Sequence, residues 1–270
     1  MARYKPDLLL KYYNEVTKSR HLHFGYWEKG EELSLKNLLI AQERYIDHLL
    51  LFIPEDVKTV LDVGCGVGGN AIKLKEKGYE VISLSPDPYQ EKVFRENTGG
   101  EIPFFLSRFE DFKTDRKFDL VLMAESSQYI DGILLFKKSR EVLRDRGYLL
   151  VCDFFKVDDI DDSGIAVSGH LHKGFLKQAE SDGFIIIKSE DITDRISPTL
   201  DFMISLYYEY LIPSFKIVAY ALELYIPFFY KITRLLLRKP LKKLLDRSLV
   251  NARTFSKYRR YMIYLFQKNA

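Results

Sequence analysis

Residues 60–69 read VLDVGCGVGG and combine an acidic side chain with a run of glycines. Asp62 precedes Gly64, and further glycines lie at positions 66, 68 and 69. Such glycines let the backbone turn tightly and approach a ligand where a Cβ atom would collide. An apolar run precedes the glycines and a helical pattern follows them, which predicts a strand, a turn and a helix. This unit opens a nucleotide-binding α/β sheet.

The position of the aspartate relative to the glycines distinguishes between two kinds of cofactor. In dinucleotide-binding folds the acidic residue lies far downstream of the glycines, on the ribose. An aspartate directly before the turn suits a cationic cofactor with an amino-acid tail. The segment resembles the first motif of the class I S-adenosylmethionine (SAM) dependent methyltransferases, which implies SAM as cofactor and S-adenosylhomocysteine (SAH) as product. The implied cofactor contacts in the turn are Asp62, Gly64, Cys65, Gly66 and Gly68. A Rossmann-type dehydrogenase, or a fold that binds no ligand, is the alternative.

An aromatic segment, HLHFGYWE at 21–28, precedes this motif. It is similar to a segment found before the first motif in cyclopropane fatty acid synthases and in sterol and small-molecule methyltransferases. There a tyrosine reaches the carboxylate end of SAM. The resemblance implies that Tyr26 contacts the cofactor and that Trp27 forms a wall of the site. The alternative is that both side chains pack the N-terminal helices onto the sheet.

The second predicted strand, 80–84, leads into the sequence SLSPDPYQ. Most class I methyltransferases end this strand with an acidic residue that holds the ribose hydroxyls, and Ser83 fills that place here. The cyclopropane synthase group also uses a hydroxyl residue with a nearby glutamine. The resemblance implies ribose contacts from Ser83 and Gln90, with Asp87 as a substitute. The neighbouring cofactor positions are Leu84 and Ser85.

The loop SRFED at 107–111 follows a short third strand, 104–106. In the family this loop borders the adenine, often through an aspartate at the place that Arg108 fills. The resemblance implies that Phe109 lies against the adenine ring and that Glu110 accepts from its amino group. A purely structural role is the alternative for each residue.

Candidate catalytic residues follow the fourth predicted strand, 118–124. Glu125 matches the glutamate of an ESGEH-like tocopherol methyltransferase pattern, which implies a position facing SAM or the acceptor. Gln128 and Tyr129 stand where cyclopropane synthases carry a Glu-His pair, so a cyclopropane product is not expected. We interpret Glu125 as the first candidate base and Tyr129 as a residue that orients the acceptor.

His170 is the second candidate base, because an imidazole titrates in the useful pH range. A role at the start of a helix or on the surface is its alternative. His172 lies two positions further on, and this spacing does not place two ligands on one helical face. No metal site is therefore predicted.

Alternating strand and helix patterns predict an α/β fold: a Rossmann-like, seven-stranded class I methyltransferase sheet with N-terminal helices. The last three strands are predicted at 147–154, 184–189 and 258–268, so a helical insertion of 200–210, 213–239 and 241–250 separates strands six and seven. The predicted units are an N-terminal helical cap (1–55), a SAM-binding core (56–190), the insertion (191–256) and the final strand (257–270). Because a parallel strand six would leave the sheet at its carboxyl edge, the insertion is expected beside the active site.

The insertion carries the basic charge of the chain. Residues 201–270 contain 13 Lys and Arg against 4 Asp and Glu, although the whole chain has a net charge of only +3. Its apolar residues follow a helical stripe at Ile217, Ala221, Leu224, Phe228, Ile232 and Leu235. A basic stripe is predicted at Lys231, Arg234, Arg238 and Lys242, around a helix break at Pro240. This composition suits an anionic membrane surface or an acceptor with an apolar body; a packed stripe with a solvated basic face is the alternative.

Together these features predict a SAM-dependent methyltransferase of a small hydrophobic or lipid-like acceptor, with peripheral membrane association through 213–250 as an option. A methyltransferase of a polar small molecule, such as an amine or natural product, with the insertion as a lid, is the alternative. A third hypothesis is a macromolecular methyltransferase or a non-enzymatic SAM binder. The sequence shows no separate nucleic-acid-binding module that would support methylation of RNA or DNA. Two cysteines without a pairing pattern and no signal-peptide pattern predict a cytoplasmic protein.

Overall fold

The structure is a computed structural model that describes residues 8–158, 169–247 and 250–269, apart from the side chains at 8, 9, 238 and 240–247. A seven-stranded sheet forms its centre. The strands are β1 (Thr59–Val63), β2 (Glu80–Ser85), β3 (Phe104–Leu106), β4 (Phe118–Ala124), β5 (Leu143–Lys156), β6 (Phe184–Asp191) and β7 (Arg259–Lys268). Their spatial order is β3-β2-β1-β4-β5-β7-β6, and β7 runs antiparallel to both of its neighbours. This arrangement confirms the predicted fold class, including the position of β6 and β7.

Helices cover both faces of the sheet, because the central strands are apolar on both sides. The first helices are α1 (Leu8–Thr17), α2 (Leu35–Leu50), α3 (Gly69–Glu76), α4 (Pro88–Thr98), α5 (Gly132–Val142) and α6 (His172–Ser181). Leu120 and Leu122 of β4 belong to one apolar cluster together with α2 and α3. Val121 of the same strand faces the opposite cluster, with α5 and α6. Ser34 caps α2 by accepting a hydrogen bond from the backbone N–H of Asn37, a role for which serine is strongly preferred.

The insertion between β6 and β7 is helical, as expected. It contains α7 (Thr193–Ile196), α8 (Pro198–Leu206), a π-helical turn (Tyr207–Leu211), α9 (Ile212–Tyr225), α10 (Pro227–Arg247) and α11 (Ala252–Tyr258). The helix break predicted at Pro240 is wrong, because α10 continues through that position. The break lies instead at Ile226, whose φ of −140° and ψ of 62° are not helical. Ile226 precedes Pro227, and the residue before a proline is driven out of the helical region.

Candidate cofactor and active site

A cavity of about 370 Å³ opens at the carboxyl edge of the parallel strands, where β1, β2, β3 and β4 end in loops. Most of the residues predicted to hold a cofactor lie in its wall. They are Gly64, Cys65, Gly66, Leu84, Ser85, Gln90, Arg108, Phe109, Glu110 and Glu125. Tyr129, predicted to orient the acceptor, also lines the cavity. The sequence therefore locates the cavity, and the role of each wall residue remains a proposal.

The glycine-rich turn forms the floor of this cavity. Gly64 and Gly66 have φ values of +73° and +55°, which favour glycine over residues with a Cβ. A Cβ atom at Gly64 would lie 2.3 Å from the Cβ of Ser126, so the turn is also packed closely against the end of β4. Gly68 lies outside the cavity wall, where a Cβ atom would meet the ring of Phe94 in α4 at 3.0 Å. The absence of a side chain at Gly68 therefore allows α4 to pack closely against the turn.

Two polar side chains beneath the turn have no hydrogen-bond partner among the described residues. They are the Asp62 carboxylate, through its Oδ2, and the Ser83 hydroxyl. Asp62 of β1 lies opposite Ser83 of β2 in the sheet, and both residues are buried. Neither lies in the cavity wall, although both were predicted to contact the cofactor. Burial raises the pKa of Asp62 to about 7. Unpartnered buried polar atoms are rare, and here they lie below the surface that a polar ligand would contact.

Two polar residues predicted to contact the cofactor here lie in the cavity wall: Ser85, two residues beyond Ser83 along β2, and the ribose candidate Gln90. The Ser85 hydroxyl donates to Oε1 of Gln90 at 2.6 Å, and both residues line the cavity. Asp87 is not available as a substitute, because its carboxylate caps α4 by accepting from the backbone N–H of Tyr89 at 2.8 Å. Ser85 and Gln90 therefore form the polar pair at this end of the cavity.

Glu125 lies at the end of β4 in a left-handed backbone conformation, with a φ of +57°. Such strain in a residue other than glycine is costly and is common at functional sites. Its Oε1 accepts two hydrogen bonds, from the backbone N–H of Phe24 at 2.7 Å and from the hydroxyl of Tyr261 at 2.6 Å. Burial nevertheless outweighs both bonds and raises the pKa of Glu125 to about 8. The carboxyl thus carries a proton at neutral pH and loses it slightly above.

His170 lies behind the cavity wall, which does not support the prediction that it is a base. Its Nε2 donates to the backbone carbonyl of Ser127 at 2.8 Å and so supports the 3₁₀ turn that carries Tyr129. Asp153 supports the same turn from below by accepting from the Ser127 hydroxyl at 2.7 Å. Tyr129 itself stands at the rim, where 75% of its surface is exposed.

Tyr26 and Trp27 lie away from the cavity, so the placement implied for them is corrected. The ring of Tyr26 packs against His48, with 4.7 Å between ring centroids. Trp27 is buried beside Phe202, and its indole N–H donates to Thr199 at 2.9 Å. Tyr26 packs against the apolar cluster shared by α2 and the sheet, as in the alternative that the sequence left open. Trp27 instead packs α2 against α8 of the insertion.

The cavity is lined instead by the first half of the aromatic segment. Sequence reasoning missed His21, Leu22 and His23 of this segment, and it also missed the wall residues Leu10, Arg20, Asn70, Ser126 and Ile130. The segment was recognised, but a loop has no periodicity that tells which of its residues turn inward. Within the described part of the chain, no group of three His, Cys, Asp or Glu residues is arranged to hold a metal ion.

Comparisons with known proteins decide the family. A family model described as "Methyltransferase domain" matches residues 39–179. The chain belongs to this family. Within this family its fold and motifs are those of the class I enzymes related to the sterol and tocopherol methyltransferases, as its motifs indicated, and members of this group bind SAM and SAH. The cavity fits this cofactor, because a glycine turn leaves its floor open to a ligand and the Ser85–Gln90 pair offers polar contacts.

Two curated relatives and one solved structure illustrate the similarity. The chain is 28% identical over 215 residues to sterol 24-C-methyltransferase ERG6 of Saccharomyces cerevisiae, covering 68% of this chain and 54% of that protein. It is 27% identical over 152 residues to the chloroplastic tocopherol O-methyltransferase of Arabidopsis thaliana, covering 48% and 44%. The chain thus spans about half the length of these relatives. The crystal structure of geranyl diphosphate C-methyltransferase from Streptomyces coelicolor A3(2) superposes with a TM-score of 0.69 at 12% identity, over 97% of this chain and 93% of that one, which shows the same fold.

Proposed function

We propose that this chain transfers a methyl group from SAM to a small hydrophobic or lipid-like acceptor that it meets at a membrane surface. The observation that carries this proposal is the exposure of large apolar side chains along α9 and α10. Tyr225 and Phe228 are each 78% exposed, and Leu235 is 79% exposed. Further exposed residues on these helices are Phe215, Ile217, Val218, Tyr220, Leu224, Phe229, Leu236 and Leu237. This many exposed large apolar side chains on two consecutive helices indicates an interaction site.

Cations accompany this apolar surface. Lys216, Lys231, Arg234 and Lys239 are exposed on α9 and α10. Aromatic and aliphatic side chains with interspersed cations are typical of helices that lie in the interface of an anionic membrane. The remaining members of the basic stripe, Arg238 and Lys242, have side chains outside the described set. No helix in the described ranges is long and apolar enough to cross a membrane.

An apolar path supports a link from these helices to the cavity. Phe202 of α8 packs in one cluster with Trp27, and Met203, Leu206 and Leu22 lie against that cluster. Leu22 also lines the cavity. The insertion and the cavity wall are therefore joined by apolar packing, which suits an insertion that presents a hydrophobic acceptor to the cavity. The printed names of the two relatives, a sterol and a tocopherol enzyme, are consistent with such an acceptor.

The chemistry that we propose is direct displacement. Bound SAM supplies an activated methyl group, so the chain must align the acceptor and exclude water. Tyr129 at the rim orients the acceptor. If the acceptor atom is a hydroxyl oxygen, the ionised form of Glu125 takes its proton, so turnover should rise as pH increases through the pKa of about 8.

An acceptor screen tests this function. The purified chain is incubated with methyl-labelled SAM and, separately, with lipid extracts and polar extracts of cells. We expect label in the lipid fraction, and mass spectrometry should show an added methyl group without a cyclopropane ring. Label found only in the polar extract would contradict a hydrophobic acceptor. It would favour the alternative, in which the insertion is a lid that covers a soluble acceptor.

A further inference from the structure

A buried tyrosine of the last strand holds one oxygen of the Glu125 carboxyl. Tyr261 in β7 is fully buried, and its hydroxyl donates to Oε1 of Glu125 at 2.6 Å. The backbone N–H of Phe24 donates to the same oxygen at 2.7 Å. Glu125 is partly exposed and lines the cavity, and neither of these bonds within the described ranges uses Oε2. Oε2 is therefore the oxygen that remains for a ligand.

A second hydroxyl fixes the direction of the bond from Tyr261. An ionised carboxylate only accepts hydrogen bonds, so the single hydroxyl hydrogen of Tyr261 points to Oε1 when Glu125 is ionised. The hydroxyl oxygen of Tyr45 in α2 lies 3.1 Å from that of Tyr261. Because Tyr261 has no second hydroxyl hydrogen, Tyr45 donates this bond. The donors then form a row from Tyr45 to Tyr261 to Glu125, with one direction.

The backbone of Tyr261 is fixed at the start of the insertion. Its N–H donates to the hydroxyl of Thr193 at 2.8 Å, and its carbonyl oxygen accepts from the N–H of Ile192 at 2.9 Å. The ring meets that of Tyr45 edge-on, with 6.3 Å between ring centroids. Tyr261 is thus held at its backbone, its ring and its hydroxyl, and from this position it determines where Oε1 of Glu125 lies.

We propose that Tyr261 is a positioning residue for Glu125: it holds Oε1 on the side of β7, so that Oε2 is the oxygen presented to the reacting group of the acceptor. The same bond stabilises the ionised carboxylate, which is the form that can take a proton. The strained backbone of Glu125, with a φ of +57°, agrees with an orientation that surrounding groups impose. The inference rests on the proposed function, in which Glu125 is the base for a hydroxyl acceptor.

The titratable groups around Glu125 do not change charge where Glu125 itself does. Burial raises the pKa of four of them above its ordinary value: Tyr13 of α1, Tyr45 of α2, Cys152 of β5 and Tyr261 of β7. Burial raises the pKa of Asp153 in β5 to about 6, so this carboxyl is already ionised when Glu125 titrates, and its charge raises the pKa of Glu125. The bond from Tyr261 lowers that pKa. A change at Tyr261 can therefore be measured directly on Glu125.

Tyr261→Phe removes the hydroxyl and keeps the ring. We expect the pH at which Glu125 ionises to rise by about one unit, because the carboxylate loses one hydrogen bond to its charged form. Tyr264→Phe is the matched control, since Tyr264 is also a buried residue of β7 but its hydroxyl contacts His172. This control should leave the ionisation of Glu125 where it is.

A double variant addresses the stability of the fold. Tyr261→Phe alone leaves the Tyr45 hydroxyl without the acceptor that it has in the wild type, and such a loss is destabilising. Tyr45→Phe combined with Tyr261→Phe removes both hydroxyls and leaves no orphaned donor between them. It should show the same shift of Glu125 as the single variant.

The experiment measures the carboxyl and the turnover separately on the full chain. NMR of the labelled glutamate carboxyl carbons follows ionisation in the SAH complex between about pH 6 and 10, and Glu125→Gln identifies the signal. Turnover is followed over the same range with methyl-labelled SAM and the lipid extract. In Tyr261→Phe the rise of turnover should move to higher pH by the same amount as the carboxyl midpoint, with unchanged SAH affinity. A role of Tyr261 in packing alone would lower stability and move neither midpoint.

Three outcomes would overturn the inference. The first is an unchanged carboxyl midpoint in both Tyr261→Phe and the double variant, and the second is an equal shift in Tyr264→Phe. The third is a shifted carboxyl midpoint with an unshifted turnover profile, which would show that Glu125 is not the base that Tyr261 positions. A lipid extract that receives no label would contradict the proposed acceptor instead, and the carboxyl midpoint would then decide the inference.

Discussion

The backbone N–H of Phe24 donates to Oε1 of Glu125 at 2.7 Å and joins two parts of the chain that are 101 residues apart in sequence. The same oxygen accepts from Tyr261 in β7. The N-terminal segment, the end of β4 and the last strand therefore meet at a single carboxyl group. Any change in the charge of this group affects the cavity wall on two sides.

We expect Glu125→Gln to lower kcat by about 100-fold or more if the acceptor is a hydroxyl, since general-base catalysis contributes about 10²–10⁴-fold. The amide still accepts from Phe24 but cannot take a proton. SAH affinity, measured by calorimetry, should change little. His170→Ala is the comparison, because His170 lies behind the wall, and we expect it to lose less activity. If both variants keep full turnover with saturating SAM, alignment alone is the better account.

Glu125 should also make stability depend on pH. The folded carboxyl keeps its proton up to about pH 8, whereas an exposed glutamate loses it near about pH 4.3. The folded state binds more protons between these values, so the free energy of unfolding should decrease as pH rises through this range. Denaturant unfolding at a series of pH values measures this slope. It should be smaller in Glu125→Gln, and an unchanged slope would show that this carboxyl is ionised in the folded state.

We expect Gly66→Val to abolish SAH binding in a protein that still folds. The added Cβ lies at a φ of +55° and 3.3 Å from Leu22, a flexible side chain, so the strain at this position is modest. A left-handed conformation costs a residue with a Cβ about 1–2 kcal/mol. Gly78→Val is the matched control, because Gly78 has a φ of +91° and nothing within 4 Å of its Cβ position. Wild-type affinity in a folded Gly66→Val protein would refute the glycine turn as the cofactor site.

We expect reversal of Lys216, Lys231, Arg234 and Lys239 to glutamate to release the chain from anionic vesicles. Each Lys or Arg near such a surface contributes about 1 kcal/mol, and added salt should have the same effect. Co-sedimentation measures the bound fraction, and SAH affinity should not change. Reversal of Lys36, Lys113, Lys137 and Lys177, which are exposed elsewhere, is the control with the same change in charge.

The apolar side chains provide an independent test of the same surface. Phe228→Ser with Leu235→Ser should weaken vesicle binding without changing charge, whereas Leu51→Ser, at a residue that is 71% exposed elsewhere, should not. A wild-type protein that ignores anionic vesicles at low salt would remove the membrane from the proposed function.

The features predicted from sequence are those with a local chemical cause. Apolar runs, a glycine turn and the Ser34 cap identify strands and helix starts, and the long interval between β6 and β7 identifies the insertion. These signals depend on neighbouring residues, which the sequence displays directly. They locate the cavity because carboxyl ends of parallel strands meet at one edge.

The features that could not be predicted depend on distant partners. Nothing in the sequence brings Tyr261 to Glu125, or His170 to the carbonyl oxygen of Ser127. Tyr26 was misplaced for the same reason, since a rotation of the loop by a few residues exchanges the side chains that face the cavity. The helix break was also misplaced, because Pro227 and Pro240 give the same local signal in the sequence, whereas the chain leaves the helical conformation at Ile226 and continues as a helix through Pro240.

The place of β7 between β5 and β6 has a consequence for synthesis of the chain. Among the described strands, β6 pairs only with β7, which is translated after the whole insertion. At about 5–20 residues per second, β6 waits several seconds for its partner while the apolar helices of the insertion leave the ribosome. Non-local strand pairing of this kind is slow. The nascent chain therefore presents an unpaired strand together with the apolar helices α9 and α10, and chaperones that bind exposed apolar segments should associate with it at this stage.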